Sequence, residues 1–130
     1  MTRYSLIMLH TPLVARDLSL TLEELTKTQC ITCAAAEEAC QKLADLQPGT
    51  LHCAFIQSDF QSLKDSPLLA LVTALGGQVV LIGHSAEMEA ASGQPVPALP
   101  VLAEPFGPAQ VTDVLSRLAP ASAQGDSAPS

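Results

Sequence analysis

The sequence predicts an α/β fold of five βα units, in which a parallel sheet is covered by helices on both faces. Short apolar runs alternate with longer segments of helical period along the chain, the pattern that such a sheet requires. Hydrophobic residues make up 48% of the chain, few of them are aromatic and Trp is absent, which is typical of layered packing. With 130 residues, the chain can bury a core without disulfides. We therefore expect one doubly wound domain.

The first two units are predicted over residues 4–46. A strand at 4–9 precedes a helix at 12–27, because Pro12 suits the first helical turn and the apolar residues that follow lie on one stripe. A second strand at 30–33 precedes a helix at 35–46, which the Pro-Gly pair at 48–49 ends.

The other three units are predicted over residues 51–118. The run at 51–57 is almost continuously apolar, which indicates a central strand buried on both faces. The remaining elements are a helix at 67–75, a strand at 78–82, a short helix from Ser85 as its cap to residue 91, a strand at 99–103 and a helix at 108–118. Residues 1–119 are expected to form the domain, and residues 120–130 a flexible Ala/Ser/Pro tail or linker.

Charge and hydropathy exclude two classes of partner. Six basic residues against 13 acidic ones give a net charge of −7, which repels a phosphate backbone. No apolar run reaches the roughly 18 to 20 residues that a membrane span needs, and the N-terminal segment lacks the pattern of a signal peptide. We expect a cytoplasmic protein that binds neither nucleic acid nor a membrane.

Four local patterns, taken in order, resemble the receiver domain of bacterial response regulators and hybrid histidine kinases. They are the Pro-Leu-Val-x-Arg segment at 12–16, the strand at 53–56, the strand at 79–82 and the Ala-Glu-Pro-Phe turn at 103–106. The resemblance covers about residues 4–118. It implies a CheY-like, flavodoxin-like sheet with strand order 2-1-3-4-5.

An active receiver carries its chemistry at the carboxyl edge of the sheet. An acidic pair holds Mg²⁺ after the first strand, an Asp after the third accepts the phosphoryl group, and a hydroxyl and a Lys after the fourth and fifth stabilise it. Carried over by the resemblance, these positions fall on Leu9 and His10, on Gln57, on Gly83 with His84 following, and on Glu104. None of them supplies the group that the chemistry needs, so the resemblance implies a degenerate phosphorylation pocket.

A different register of the third strand would change one of these assignments. Shifting the alignment by two residues would put Asp59 at the phosphoacceptor position, but Gln57 would then lie inside the apolar strand. We favour the register with Gln57 at the strand end. In either register the metal ligands and the cation are missing, and Glu104 would repel a phosphoryl group.

The function that follows is a phosphorylation-independent pseudo-receiver, without enzymatic activity or a cofactor, that acts through protein contacts or as a homodimer. The resemblance implies a histidine kinase, a phosphotransfer protein or an output domain as partner. Candidate docking residues near the fourth and fifth strands are Glu87, Met88, Val96, Leu99, Val101 and Phe106. Val101 stands where the family has its aromatic switch residue. The acidic residues Glu87, Glu89 and Asp113 are expected on a solvated face bordering this surface.

Two other functions stay open besides phosphorylation of Asp59. Cys30 and Cys33 form a Cys-x-x-Cys pattern that is used in redox and zinc sites. However, residues i and i+3 of a strand face opposite sides of the sheet, which favours buried structural thiols. His10 and His84, with Glu104 or Asp59, would be a small metal-binding cluster if the loops bring them together. His52 is expected to be structural.

Overall fold

The computed structural model describes residues 2–93, 99–103 and 106–118. Five parallel strands form one sheet in the order β2-β1-β3-β4-β5, which confirms the predicted fold class and strand order. The strands are β1 (Tyr4–Met8), β2 (Gln29–Cys33), β3 (Leu51–Gln57), β4 (Gln78–Ile82) and β5 (Val101–Leu102). The tail predicted at 120–130 lies outside the described residues.

Helices cover both faces of this sheet. They are α1 (Pro12–Thr26), α2 (Ala36–Leu43), α3 (Phe60–Leu63), α4 (Pro67–Ala74), α5 (His84–Ala91) and α6 (Pro108–Arg117). The buried residues of α1 and α6 pack together against one face of the sheet. Those of α2, α3, α4 and α5 pack against the other face. The chain thus has the doubly wound layers that its alternating sequence pattern predicts.

Strand β3 contributes side chains to both hydrophobic cores, one on each face of the sheet. Cys53 and Phe55 face the layer of α1 and α6, whereas Ala54 and Ile56 face the layer of α2 to α5. All four side chains are fully buried. Because successive residues of a strand point to opposite faces, a strand that is covered on both sides must be apolar at every position.

Several element boundaries differ from the prediction. β1 ends at Met8, although the Leu9 amide still donates to the Cys33 carbonyl at 3.1 Å. β5 has two residues rather than five. α2 ends at Leu43, three residues early, and α3 was not predicted at all. Such ends depend on capping and on neighbouring strands more than on local apolar spacing.

The start of α5 was also predicted wrongly. Its N-cap is Gly83, with φ 109° and ψ 168°, so the helix begins at His84 directly after β4. Ser85 lies within the first turn and is not the cap.

None of the helices in the described part of the chain has both the length and the hydropathy that a membrane span requires.

Candidate functional site at the carboxyl edge of the sheet

The side chain of Gln57 joins the ends of two neighbouring strands. Gln57 is the last residue of β3, and its side-chain oxygen Oε1 accepts a hydrogen bond of 2.8 Å from the backbone N–H of His10, just beyond β1. Between His10 and β1, the side chain of Leu9 is 3% exposed and packs into the core beside α1. The residue that follows β1 therefore has an exposed imidazole, and its backbone N–H is already hydrogen-bonded to the Gln57 side chain.

Gly83 makes room for the same glutamine. A Cβ atom built on Gly83 would lie 3.2 Å from Cγ of Gln57, closer than ordinary van der Waals contact. The backbone of Gly83, with φ 109°, also adopts a conformation that L side chains rarely take. A hydroxyl-bearing side chain at this position would face both obstacles. His84 follows at the first turn of α5 with its imidazole exposed.

Asp59 lies two residues beyond the end of β3 and caps a short helix. It is the N-cap of α3, and its carboxylate oxygen Oδ1 accepts a hydrogen bond of 2.7 Å from the backbone N–H of Ser62. Such a bond satisfies one of the amides left without a partner at a helix start. An Asp just before a helix start is a capping signal that can be read from the sequence, but no helix was predicted between residues 57 and 67.

Glu89, on α5, also binds the start of α3. Its carboxylate accepts hydrogen bonds from the backbone N–H groups of Phe60, at 2.7 Å, and Gln61, at 3.0 Å. The side chain thereby links α5 to the start of α3 across 29 residues of sequence. The expectation that Glu89 belongs to a solvated face was wrong, and no local pattern could have revealed this contact.

The other acidic residues differ from Glu89. Asp113 and Arg117 form an exposed i,i+4 ion pair on α6, with 2.7 Å between the carboxylate and the guanidinium. Such a pair contributes little to stability. Asp113 thus lies on the solvated face that the sequence predicted for it.

The described carboxyl edge holds no carboxylate at the end of β1 or β3, where a magnesium site would need oxygen ligands. Glu104 lies outside the described residues. Within residues 2–93, 99–103 and 106–118, no three His, Cys, Asp or Glu side chains approach one another as a metal site requires. Nothing in this part of the structure supports the metal cluster considered for His10 and His84.

The candidate docking residues on α5 sit at the surface. Met88 is 58% exposed, which makes it a large apolar side chain in contact with solvent. Glu87, beside it on the helix, is half-buried. Val96 lies outside the described residues.

The candidate docking residues of the β5 region lie on different faces. Leu99 and Val101 are half-buried and pack against the core under α2 to α5. Phe106 is also half-buried, but it packs against the core under α1 and α6. Phe106 therefore belongs to the opposite layer and borders a cleft between α1 and α6.

The two cysteines of the Cys-x-x-Cys pattern lie on opposite faces of the sheet. Cys30 packs on the α1 side and Cys33 on the α2 side, as the two-residue period of β2 predicts. Burial, followed by the nearby carboxylate of Glu23, raises the pKa of the Cys30 thiol to about 12. Burial raises the pKa of Cys33 to about 11. Because the reactive species is the thiolate, these thiols are poor nucleophiles at neutral pH.

His52 lies near the start of β3, at the amino end of the strand and far from Gln57 along it. Burial, and then the positive charge of Arg3, lowers the pKa of its imidazole. Both effects favour the neutral form of the imidazole. This environment agrees with a structural role for the side chain.

Two solved structures share this architecture. One is the solution structure of SdrG from Sphingomonas melonis Fr1, with a TM-score of 0.62 and 23% identity, covering 89% of this chain and 94% of that one. The other is the crystal structure of a response regulator receiver protein from Sinorhizobium medicae WSM419, with a TM-score of 0.61 and 19% identity, covering 88% and 92%. No protein-family model and no curated protein matches the sequence. At these identities the similarity shows a shared fold.

Proposed function

We propose that this chain, which has the CheY-like receiver fold, is a pseudo-receiver of two-component signalling. It works by binding other proteins and carries out no phosphoryl transfer. The observation that carries the proposal is the hydrogen bond of Gln57. An amide ends β3, and its oxygen is already bonded to the His10 amide at 2.8 Å.

Three features of the same edge support the proposal. An amide side chain cannot form the acyl phosphate that a carboxylate forms. Leu9 and His10 supply no oxygen ligands for Mg²⁺, and Gly83 supplies no hydroxyl group. Each missing part would otherwise neutralise or hold the transferring phosphoryl group.

Phosphorylation of Asp59 is less well supported than binding alone. The Asp59 carboxylate is bonded to the Ser62 amide, and Glu89 places a second carboxylate at the start of the same helix. Two nearby anions oppose the approach of a phosphoryl group. Redox chemistry at Cys30 and Cys33 is opposed by their position on opposite faces of the sheet.

The proposed partners are a histidine kinase, a phosphotransfer protein or an output domain, and the proposed docking site centres on Met88 of α5. Met88 exposes an apolar side chain next to an acidic one. Leu99 and Val101 would extend this surface toward β5. The signalling role also implies a location in the cytoplasm.

A phosphorylation assay tests the proposal. The protein is incubated with a small-molecule phosphodonor and Mg²⁺ and weighed intact, and its amide NMR spectrum is recorded with beryllofluoride and Mg²⁺. An active receiver domain is treated in parallel as a positive control. We expect no mass increase and no beryllofluoride-dependent shifts at the carboxyl edge. A phosphorylated product that disappears in the Asp59→Asn variant would overturn the proposal in favour of a divergent active receiver.

The docking surface needs a separate test. Candidate partners from the source cell are captured with the wild-type chain and with Met88→Lys, while Leu25→Lys on α1 serves as a control at another exposed apolar residue. We expect Met88→Lys alone to lose a specific signalling partner. Glu89 is unsuitable for this purpose, because reversing its charge would break the contact with α3.

A further inference from the structure

Helix α5 is anchored in the core less firmly than the other long helices. Within His84–Ala91, all of which the structure describes, Ala86 alone is fully buried, and the other residues are exposed or half-buried. The other helices of eight or more residues each bury two or three residues, with a leucine or a valine among them. Burial of a leucine or valine removes more apolar area from water than burial of an alanine. Hydrophobic packing therefore holds α5 only weakly.

A polar contact supplements this weak packing. The Glu89 carboxylate accepts a hydrogen bond from the Phe60 N–H at 2.7 Å through one oxygen, and from the Gln61 N–H at 3.0 Å through the other. Hydrogen bonds to an ionised acceptor are stronger than those between neutral groups. They also weaken steeply as the distance and angle depart from their best values. We call this pair of hydrogen bonds the Glu89 latch, because a small displacement of α5 would break it.

Glycines with positive φ angles lie on both sides of α5. Gly83 is the N-cap, with φ 109° and ψ 168°, and Gly93, with φ 75°, follows the last helical residue by two positions. Glycine rotates about its backbone bonds more freely than any residue that carries a Cβ atom. Hinges that absorb a change of backbone angles are often such small residues. The backbone on either side of α5 can therefore turn at low cost.

We infer that α5 opens as a unit about Gly83 and Gly93, before the sheet unfolds, and that the Glu89 latch sets how often it does so. Elements with few buried apolar contacts open at a lower free energy than the core strands. A broken latch leaves α5 attached to the domain mainly by the burial of Ala86. The structure shows the closed form, in which the latch is made.

The opening of α5 has a consequence for protein binding. Met88 precedes Glu89 on the same helix, so opening displaces the central side chain of the proposed docking site. A partner that contacts Met88 and Val101 together would bind the closed form and shift α5 toward it. This consequence rests on the proposed function, whereas the opening is a property of the free chain. Phosphorylation and partner capture test the proposed function and hydrogen exchange tests the opening, so either can fail alone.

Hydrogen exchange of the purified chain measures the opening directly. Protection factors of the α5 amides, from Glu87 to Ala91, and of the β3 amides are followed by NMR at several low concentrations of urea. We expect protection in α5 to be at least about a hundredfold lower than that of the best protected β3 amides. It should also depend less on urea, because opening of one helix exposes less surface than global unfolding. Equal protection and equal urea dependence in α5 and β3 would overturn the inference.

Substitutions at Glu89 test the latch. Glu89→Ala removes both acceptor oxygens and should lower the ratio of α5 to β3 protection at least about tenfold. Glu89→Gln keeps one acceptor oxygen and should give an intermediate ratio. Glu24→Ala removes a negative charge from an exposed position of α1 and should leave the ratio as in the wild type. Because the ratio compares two elements of the same molecule, a general loss of stability does not imitate a broken latch.

The outcomes of this series separate a latch from a merely stabilising contact. An α5 to β3 ratio that stays at the wild-type value in both Glu89 variants would overturn the assignment of Glu89 as the latch. The same conclusion would follow if Glu24→Ala lowered the ratio as much as Glu89→Ala. Circular dichroism establishes that each variant is folded. If Glu89→Ala does not fold, the ratio in Glu89→Gln decides, since this variant keeps one of the two hydrogen bonds.

Discussion

Gln57 and Gly83 fit together at the carboxyl edge of the sheet, because the glutamine side chain fills the space that a side chain at position 83 would need. The distance from Cγ of Gln57 to a Cβ built on Gly83 is 3.2 Å. The Gln57 side chain therefore occupies the space beside Gly83 at the end of β4.

Replacing Gly83 by Ala should lower the free energy of unfolding by about 2 to 3 kcal/mol, through backbone strain and crowding against Gln57. Gly93→Ala is the matched control, because Gly93 also has a positive φ, 75°, but no atom from elsewhere in the described part of the chain lies within 4 Å of a built Cβ. We expect that variant to lose only about 1 kcal/mol. Urea unfolding measures both losses, and equal losses would show that the contact with Gln57 has no effect.

Removing the hydrogen-bonding group of Gln57 should loosen the end of β1. Gln57→Leu deprives the His10 amide of its acceptor at 2.8 Å and should cost about 1 kcal/mol of unfolding free energy. Gln57→Glu keeps an acceptor oxygen and should retain most of the stability. Amide hydrogen exchange at His10 gives a local readout, and it should accelerate in the Leu variant. Unchanged exchange in that variant would contradict the assigned bond.

The carboxylate of Glu89 should protect two amides of α3. Glu89→Ala removes the acceptors of the Phe60 and Gln61 N–H groups and should cost about 1 to 2 kcal/mol. The exchange of these two amides should accelerate, while that of amides in β3 should change only with global stability. Glu24→Ala, at an exposed acidic residue of α1, serves as the control for loss of negative charge. Equal effects of the two substitutions would contradict a specific link between α5 and α3.

Burial of the Cys53 thiol should lower the free energy of unfolding at alkaline pH. Burial raises the pKa of Cys53 to about 11 from 9.0, so the folded protein holds the thiol proton where the unfolded chain releases it. Stability is therefore fully present below about pH 9 and falls as the pH rises toward about 11, because the unfolded state then binds fewer protons.

Cys53→Ala isolates this effect from other groups that titrate in alkali. We expect its free energy of unfolding to fall less steeply with pH than that of the wild type, when both are measured by urea unfolding at several pH values between about 9 and about 11. Parallel pH profiles would show that the Cys53 thiol does not contribute.

Apart from α3, the sequence alone determined the order of the elements and the covering of both faces of the sheet. The apolar run of β3 and the stripes of α1 and α6 are local patterns, and each fixes a period and a buried face without reference to distant residues. The same patterns predicted that Cys30 and Cys33 lie on opposite faces. They also predicted that an amide rather than a carboxylate ends β3.

The tertiary structure alone decided how that edge is held together. The partner of Gln57 is 47 residues away in sequence and the partners of Glu89 are 28 and 29 residues away, so no local period encodes either contact. The short β5 and the extra helix α3 depend in the same way on neighbours and caps. These contacts exist because parallel strands bring their carboxyl ends to one edge, where segments from distant parts of the chain supply hydrogen-bonding partners for each other.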